Sequence, residues 1–378
     1  MSNKKEYRPR VSEDEYNVLQ EYRKNKESFT VDSISETKDY NEEVDTDALK
    51  QYCKEHNIDY SQVKSAKYIN HMGQKQFNVV LNTDYQNQHD ISEYISAVKE
   101  AVKEHNWEGQ PDKTSSKNLF TPCIFDLHLG KLAWGEETGE DYDSKIAVTR
   151  FQNALEDLIK KSEGYEPQKI LFPVGNDIYN SDKSKPFPQT TNGTPQMDDL
   201  RWQKMFRLGI KMITEAVIRL AKVAPVEVVT IFSNHDHERV FYLGETLSAV
   251  FENHPSVNVD NSPKVRKYFR WGECLLGLAH GHNEKPTDLP LTMAQEAKKD
   301  WAKTFYREWL LGHLHHQKKY QTQTTKDYSG VRVTYLTSPS AADAWHYERN
   351  FTGAIKGAEG YIYNKDEGLI GIVAHNIK

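Results

Sequence analysis

The sequence predicts an α/β fold of alternating strands and helices, joined to a small, mainly helical N-terminal domain. Three observations carry this reading. Five short apolar runs beyond residue 118 each end in a cluster of His, Asp or Asn; the segments between several of them carry apolar residues at helical spacing; and residues 1–118 are polar and charge-mixed instead. A run that is apolar throughout and stops at polar turn residues is how a strand buried on both faces reads. With 378 residues the chain is long enough for two domains, or for one large domain with an appendage.

Taken in order, Glu13–Lys26 and Asp45–His56 read as helices, DYSQVKSAKYI as a turn leading to a further short helix, and QKQFNVVLN as a strand. Helix, turn, helix, strand is compatible with a winged-helix module. Residues 1–118 hold 17 Lys and Arg against 22 Asp and Glu, a net of −5. That balance weakens a DNA-binding role, so a packing or oligomerisation domain is the first reading of this part. The stretch Gly109–Asn118 (GQPDKTSSKN) has the Gly, Pro and Ser content of a linker, which divides the chain into 1–118 and 119–378. Beyond it, LFTPCIFD, KILFPVGND, VEVVTIFSNHD, ECLLGLAHGH and REWLLGH are the five strand-like runs. SKIAVTRFQNALEDLIKK and MDDLRWQKMFRLGIKMITEAVIRLAK between them are amphipathic helices. Near the C-terminus KKYQTQTT, VRVTYLTS, GYIYNK and LIGIVAH read as strands without intervening helices, which predicts a second, more antiparallel sheet.

Composition narrows the function classes. An aromatic share of 11% beside 37% apolar residues excludes wholesale disorder. No run approaches 18 consecutive apolar residues, and MSNKKEYRPRVSEDEY has no apolar core behind its charges, so neither a membrane span nor a secretory signal is expected. Cys53, Cys123 and Cys274 are too few and too scattered for a disulfide framework or a thiolate zinc cage, in keeping with a soluble protein of the cytoplasm. A formal net charge of −6 is no general attraction for nucleic acid or anionic lipid, so a polyanionic substrate would need local devices. Histidine is the informative excess. Nine of fifteen lie between His128 and His316, most of them beside Asp, Asn, Glu or Gly, which is how hard and borderline metals are ligated.

Each strand-end cluster has an ordinary reading when taken alone: Gly175-Asn176-Asp177 as a turn, Asp126-Leu127-His128 as a polar strand end, His280-Gly281-His282 as surface histidines. Five of them in order, each at a predicted strand end, are not independent accidents. D-x-H, G-N-D, N-H-D, H-G-H and G-H-L-H resemble the five signatures of the calcineurin-like metallophosphoesterase superfamily, over about residues 119 to 320. Within it the sequence looks most like SbcD-type repair nucleases and bacteriophage-encoded metallophosphoesterases. The resemblance implies a four-layer αββα sandwich with two divalent ions on the strand ends. One ion would take Asp126, His128, Asp177 and His315, the other Asp177, Asn234, His280 and His313. Two ions about 3.5–4 Å apart need a bridging carboxylate, and Asp177 is the natural one. An amide cannot bridge, which disfavours Asn176 although the family more often has Gly-Asp without the extra residue. Ser233 stands where the family commonly has glycine, a change of backbone freedom and not of ligation.

The same resemblance makes His235 the general acid, with Asp236 beside it to orient the ring and raise its basicity. Asn180 is a substrate-contact candidate, and His282 and His316 support the ligands or the substrate. The reaction expected is phosphoester hydrolysis by a metal-bound hydroxide, with Mn2+ favoured and Ni2+, Fe2+, Zn2+ or Mg2+ as alternatives. Specificity would come from the polar segments Tyr179–Arg201 and Thr337–Phe351. The leading substrate is DNA, as single strands or ends, and a homodimer is compatible with the sequence. A phosphodiesterase or phosphatase for small nucleotides or phosphoproteins is the second reading, and a non-catalytic DNA-binding or assembly protein the third.

Overall fold

The structure is a computed structural model that describes residues 46–55, 60–71, 74–81, 116–314, 325–348 and 355–377. The chain divides into two compact units, Met1–Tyr94 and Ile95–Lys378. In the first, helix α1 (Thr46–Glu55) buries Leu49 and Cys53, four residues apart on one face. A single 3-10 turn over Tyr60–Gln62 leads into β1 (Val63–His71), which pairs antiparallel with β2 (Gln74–Leu81). The short helix expected within DYSQVKSAKYI is therefore a strand: pairing with the run QKQFNVVL outweighs the weak local helix preference of those residues. The helix expected at Glu13–Lys26 lies outside the described residues.

The second unit contains two sheets. One has six strands in the order β13-β12-β3-β4-β5-β6, formed by β3 (Asn118–Cys123), β4 (Lys169–Gly175), β5 (Val226–Ile231), β6 (Val257–Asp260), β12 (Lys356–Asn364) and β13 (Gly368–Ile377). The other has five strands in the order β10-β11-β9-β8-β7, formed by β7 (Lys267–Trp271), β8 (Cys274–Ala279), β9 (Tyr306–Leu311), β10 (Thr325–Tyr328) and β11 (Val331–Tyr335). The two sheets face each other across one core: Leu119, Leu171, Val229 and Ile231 from the first, with Phe125 just beyond β3, meet Leu276, Leu278 and Leu310 from the second. Period-2 alternation sends Leu275, Trp309, Leu311 and Val333 to the opposite face, where Leu289 and Met293 of α5 (Leu289–Glu296) cover them. Burial on both faces is why β8 reads as an unbroken apolar run and β9 does so from Trp309 onward. Gly277 leaves the room this packing needs, since a Cβ there would lie 2.6 Å from the Trp309 ring.

Three helices cover the outer face of the six-stranded sheet. α2 (Ser144–Ser162) packs on β3, β12 and β13, α3 (Trp202–Ala221) on β5, and α4 (His237–Phe251) on β5 and β6. α2 starts where Asp143 accepts the Ile146 N–H at 2.7 Å, and it buries Ala147, Phe151, Ala154 and Leu158 along one stripe. α3 begins five residues later than its apolar pattern, because Asp198 and Asp199 accept from Asn180, Ser181 and Ser144 and so tie the preceding loop down. The order helix, sheet, sheet, helix is an α/β sandwich.

Strand membership differs from the sequence reading. The C-terminal strands do not form a sheet of their own: β12 pairs antiparallel with β3 and β13 antiparallel with β12 at the edge of the first sheet, while β11 joins the second sheet parallel to β9. Of the five cluster-bearing strands, β3, β4 and β5 belong to one sheet and β8 and β9 to the other. Among the described residues no helix is long and apolar enough to cross a membrane.

Candidate metal centre

The loops leaving β3, β4, β5, β8 and β9 at their C-terminal ends meet at one place. Their backbones are strained there. Of the seven non-glycine residues with positive φ among the described residues, five are Asp126 (54°), His128 (50°), Asn176 (57°), Asp177 (60°) and His313 (67°). Such a conformation costs roughly 1–3 kcal/mol per residue and persists where the surrounding structure over-determines it. Main-chain hydrogen bonds supply that determination: Asp126 N–H donates to the Asn176 carbonyl at 2.8 Å, His128 N–H to the Asp177 carbonyl at 2.9 Å, and Asn176 N–H to the Ile231 carbonyl at 2.8 Å.

Asp177 is the centre of the arrangement. It is 1% exposed, and its Oδ1 accepts the His235 N–H at 3.1 Å. Its Oδ2 has no hydrogen-bond partner of good geometry, but faces His280 Nε2 at 3.2 Å and His128 Nε2 at 3.9 Å. Two groups of ligand atoms share it: His128, Asp177 and His235 form one, and Asp177, His280 and His313 the other. His280 shows the chemistry of the second group. Its Nδ1 sits 2.5 Å from Asn176 Oδ1, an oxygen that only accepts, so Nδ1 carries the proton. Nε2 is then left facing Asn234 Oδ1 at 2.8 Å and Asp177 Oδ2 at 3.2 Å. Three lone-pair-bearing atoms aimed at one another offer a common place for one cation, either a proton or a metal ion. Nitrogen and oxygen donors of this kind fit a borderline divalent ion.

The charges agree with that requirement. Burial opposes ionisation of Asp177, yet the imidazoles of His280, His235 and His128 outweigh it and hold the carboxyl well below its ordinary range. Burial would lower the His280 pKa, but Asp177 raises it above the ordinary imidazole value. Burial, with His280 nearby, pushes His313 down to about 4. Burial also drives Asp126 up to about 7. A divalent ion would satisfy Asp177 and His280 by replacing the proton that they otherwise share, and a neutral His313 is free to ligate it.

Of the ligands expected from the sequence, the structure brings Asp177, Asn234, His280 and His313 together, with His128 on the other side of Asp177. Asp126 joins neither group; its carboxylate accepts the His313 N–H at 3.0 and 3.2 Å and so positions that loop. His315 and His316 lie outside the described residues. His282 stands beside the cluster, its ring centroid 5.3 Å from that of His280 and 6.0 Å from that of His313. His235 packs edge-on against His128, with centroids 4.6 Å apart.

Two roles change. Asp236 does not orient His235: it is fully buried, accepts from Ser233 Oγ and from the Tyr179 N–H at 2.8 Å, and so ties the turn after β5 to the loop after β4. The His235 ring is held instead by the Asn180 main-chain carbonyl, 2.8 Å from Nδ1. The Asn180 side chain is not open to a substrate. It is 1% exposed and donates to Asp198 Oδ1 at 2.8 Å. The first part of the segment Tyr179–Arg201 is likewise buried, with Asp182 accepting the N–H groups of Glu238 and Arg239 at 3.1 Å each and so capping α4.

Residue-type reasoning missed three participants. Asn176 orients His280; Gly312 is the only residue that fits its position, since a Cβ there would lie 2.4 Å from Asn176 Oδ1 and 2.7 Å from Asp126 Oδ2; and Ser338 Oγ donates to the Asp126 carbonyl at 2.7 Å. The Asn176 side chain could have been found as a hydrogen-bonding polar residue beside a ligand. Asn176→Ala should weaken divalent-ion binding by roughly 10–100-fold, read by calorimetric titration with Mn2+, because the His280 ring loses the partner that fixes its tautomer. Unchanged affinity would remove Asn176 from the centre.

No family profile matches this chain, and no curated protein does. Among solved structures it is similar to the crystal structure of a protein described as a novel phosphatase from Mycoplasma pneumoniae, at 11% identity and a TM-score of 0.32, over 69% of this chain and 93% of that one.

Proposed function

We propose that this chain is a metal-dependent phosphoesterase with two divalent ions, of the calcineurin-like metallophosphoesterase kind, and that it is a manganese-dependent nuclease acting on DNA. The observation that carries the reaction class is the Asp177 carboxylate shared by two ligand groups, with one oxygen left unsatisfied between their imidazoles. DNA as substrate is supported by the motif resemblance to SbcD-type nucleases. The net charge of −6 favours a small nucleotide as the second reading.

His128, Asp177, Asn234, His280 and His313, completed by Asp126 and His315 of the motif pattern, would hold the ions. When bound, the ions neutralise the phosphate charge and lower the pKa of water. The chain's own groups do the rest. The Asn180 carbonyl keeps the proton of His235 on Nδ1, so Nε2 is the atom that exchanges a proton with the substrate. Protonated, Nε2 donates to the leaving oxygen as its bond to phosphorus breaks. Asp177 fixes the backbone of that residue through the His235 N–H.

The test is hydrolysis of bis-p-nitrophenyl phosphate, then of labelled single-stranded and double-stranded DNA and of cyclic dinucleotides, by chelator-treated protein restored with one metal at a time. Activity restored by Mn2+ is the expected result. Inactivity with Mn2+, Ni2+, Co2+, Zn2+ and Mg2+ on every substrate would sink the enzymatic reading.

A further inference from the structure

Five residues of the turn after β5 and the first turns of α4 serve a second feature. Phe232, His237, Glu238, Phe241, Tyr242 and Pro263 line a pocket of about 220 Å³. Its floor is Phe232, 3% exposed, with the His237 ring 5.0 Å away at 35° and the Phe241 ring 6.4 Å away at 41°. Tyr242, at the rim, is 54% exposed. Core packing explains Phe232, but it does not explain an open, ring-lined hollow with an exposed tyrosine and an exposed carboxylate at Glu238.

The pocket's place gives it a direction. Phe232 comes two residues before Asn234 and His237 two residues after His235, so the turn that presents the proposed acid also builds the wall. Asp182 and Thr191 hold the turn through the Glu238, Arg239 and His237 N–H groups, so the wall is set before anything binds.

We propose that this pocket receives one unpaired nucleobase adjacent to the scissile phosphate. Ring faces accept any base by stacking, and Glu238 adds an acceptor for an exocyclic amino group. A volume of about 220 Å³ suits one heterocycle and not a base pair. A base in a duplex would first have to leave its stack, so single strands and free nucleotides are preferred over duplex. The inference deepens the phosphoesterase reading and rests on it for the position of the phosphate, but base binding itself needs neither metal nor turnover.

The experiment is therefore a binding one. Full-length protein in chelator is titrated with deoxyadenosine 5′-monophosphate and with 2-deoxyribose 5-phosphate, followed by saturation-transfer NMR and intrinsic fluorescence. The nucleotide should bind more tightly than the sugar phosphate, with transfer to its base protons. Tyr242→Ala should raise the nucleotide's Kd about tenfold, Tyr242→Phe should restore it, and neither should alter the sugar phosphate. Equal binding of nucleotide and sugar phosphate, or a Kd indifferent to Tyr242→Ala, would overturn the proposal. Base binding in a protein that hydrolyses no phosphoester would instead keep the pocket and remove the reaction.

Discussion

Asp177→Asn is expected to abolish binding of at least one divalent ion and to cut hydrolysis of bis-p-nitrophenyl phosphate by on the order of 10³-fold or more, the range for losing electrostatic stabilisation of a phosphoryl centre. The substitution changes one oxygen for an amide nitrogen at nearly constant volume, so packing is hardly disturbed. What disappears is the negative charge that sits between His280 at 3.2 Å and His128 at 3.9 Å. An amide offers one acceptor oxygen and cannot be shared between two cations. The neighbouring Asn176→Asp should behave in the opposite way and retain both ions, because Asn176 orients His280 from outside the shared position. Metal content by elemental analysis after desalting, beside circular dichroism of the same samples, checks both. Full metal occupancy in Asp177→Asn together with complete loss in Asn176→Ala would show that the centre is built around residue 176.

The parts of this molecule that were legible in the sequence share a physical cause. β4 and β8 are buried on both faces, so their runs are apolar almost without interruption; β5 and β9 carry Glu227 and Thr230, and Arg307 and Glu308, among otherwise apolar residues, and the polar residues that follow all four mark the ends at which loops gather. The stripe of α2 was legible because its buried residues recur at helical spacing. Sheet membership was not: whether β8 adds to the sheet of β5 or starts another depends on β7 and on pairings between segments far apart in sequence. The tether of His235 was illegible for a different reason. It is a main-chain carbonyl, that of Asn180, and every residue has one, so no residue type announces it; the neighbouring carboxylate of Asp236 was the visible candidate, and burial had committed it to Ser233 and Tyr179. As a residue type Asn180 offers a polar side chain, but the atom that holds His235 is its backbone oxygen.

The second large effect separates binding from chemistry at His235. His235→Ala should cut turnover on DNA by roughly 10²–10⁴-fold, the range for losing a general acid. The loss on bis-p-nitrophenyl phosphate should be much smaller, since p-nitrophenolate leaves without a proton whereas the alkoxide of DNA does not. Both metals should remain bound. This last expectation has a definite rival in the structure, because His235 shares a ligand group with His128 and Asp177 and its Nε2 is the nitrogen left available by the Asn180 carbonyl. The two roles give different patterns. A ligand's removal lowers metal content and slows both substrates alike; an acid's removal leaves metal content intact and slows only the substrate with the poor leaving group. Misfolding does not mimic the second pattern, since it cannot distinguish leaving groups. Equal losses on both substrates at full metal occupancy would assign His235 to stabilising phosphate charge. Loss of one ion would make it a ligand and leave the leaving oxygen to another group, with His282, 5.3 Å from His280 by ring centroids, the next residue to substitute.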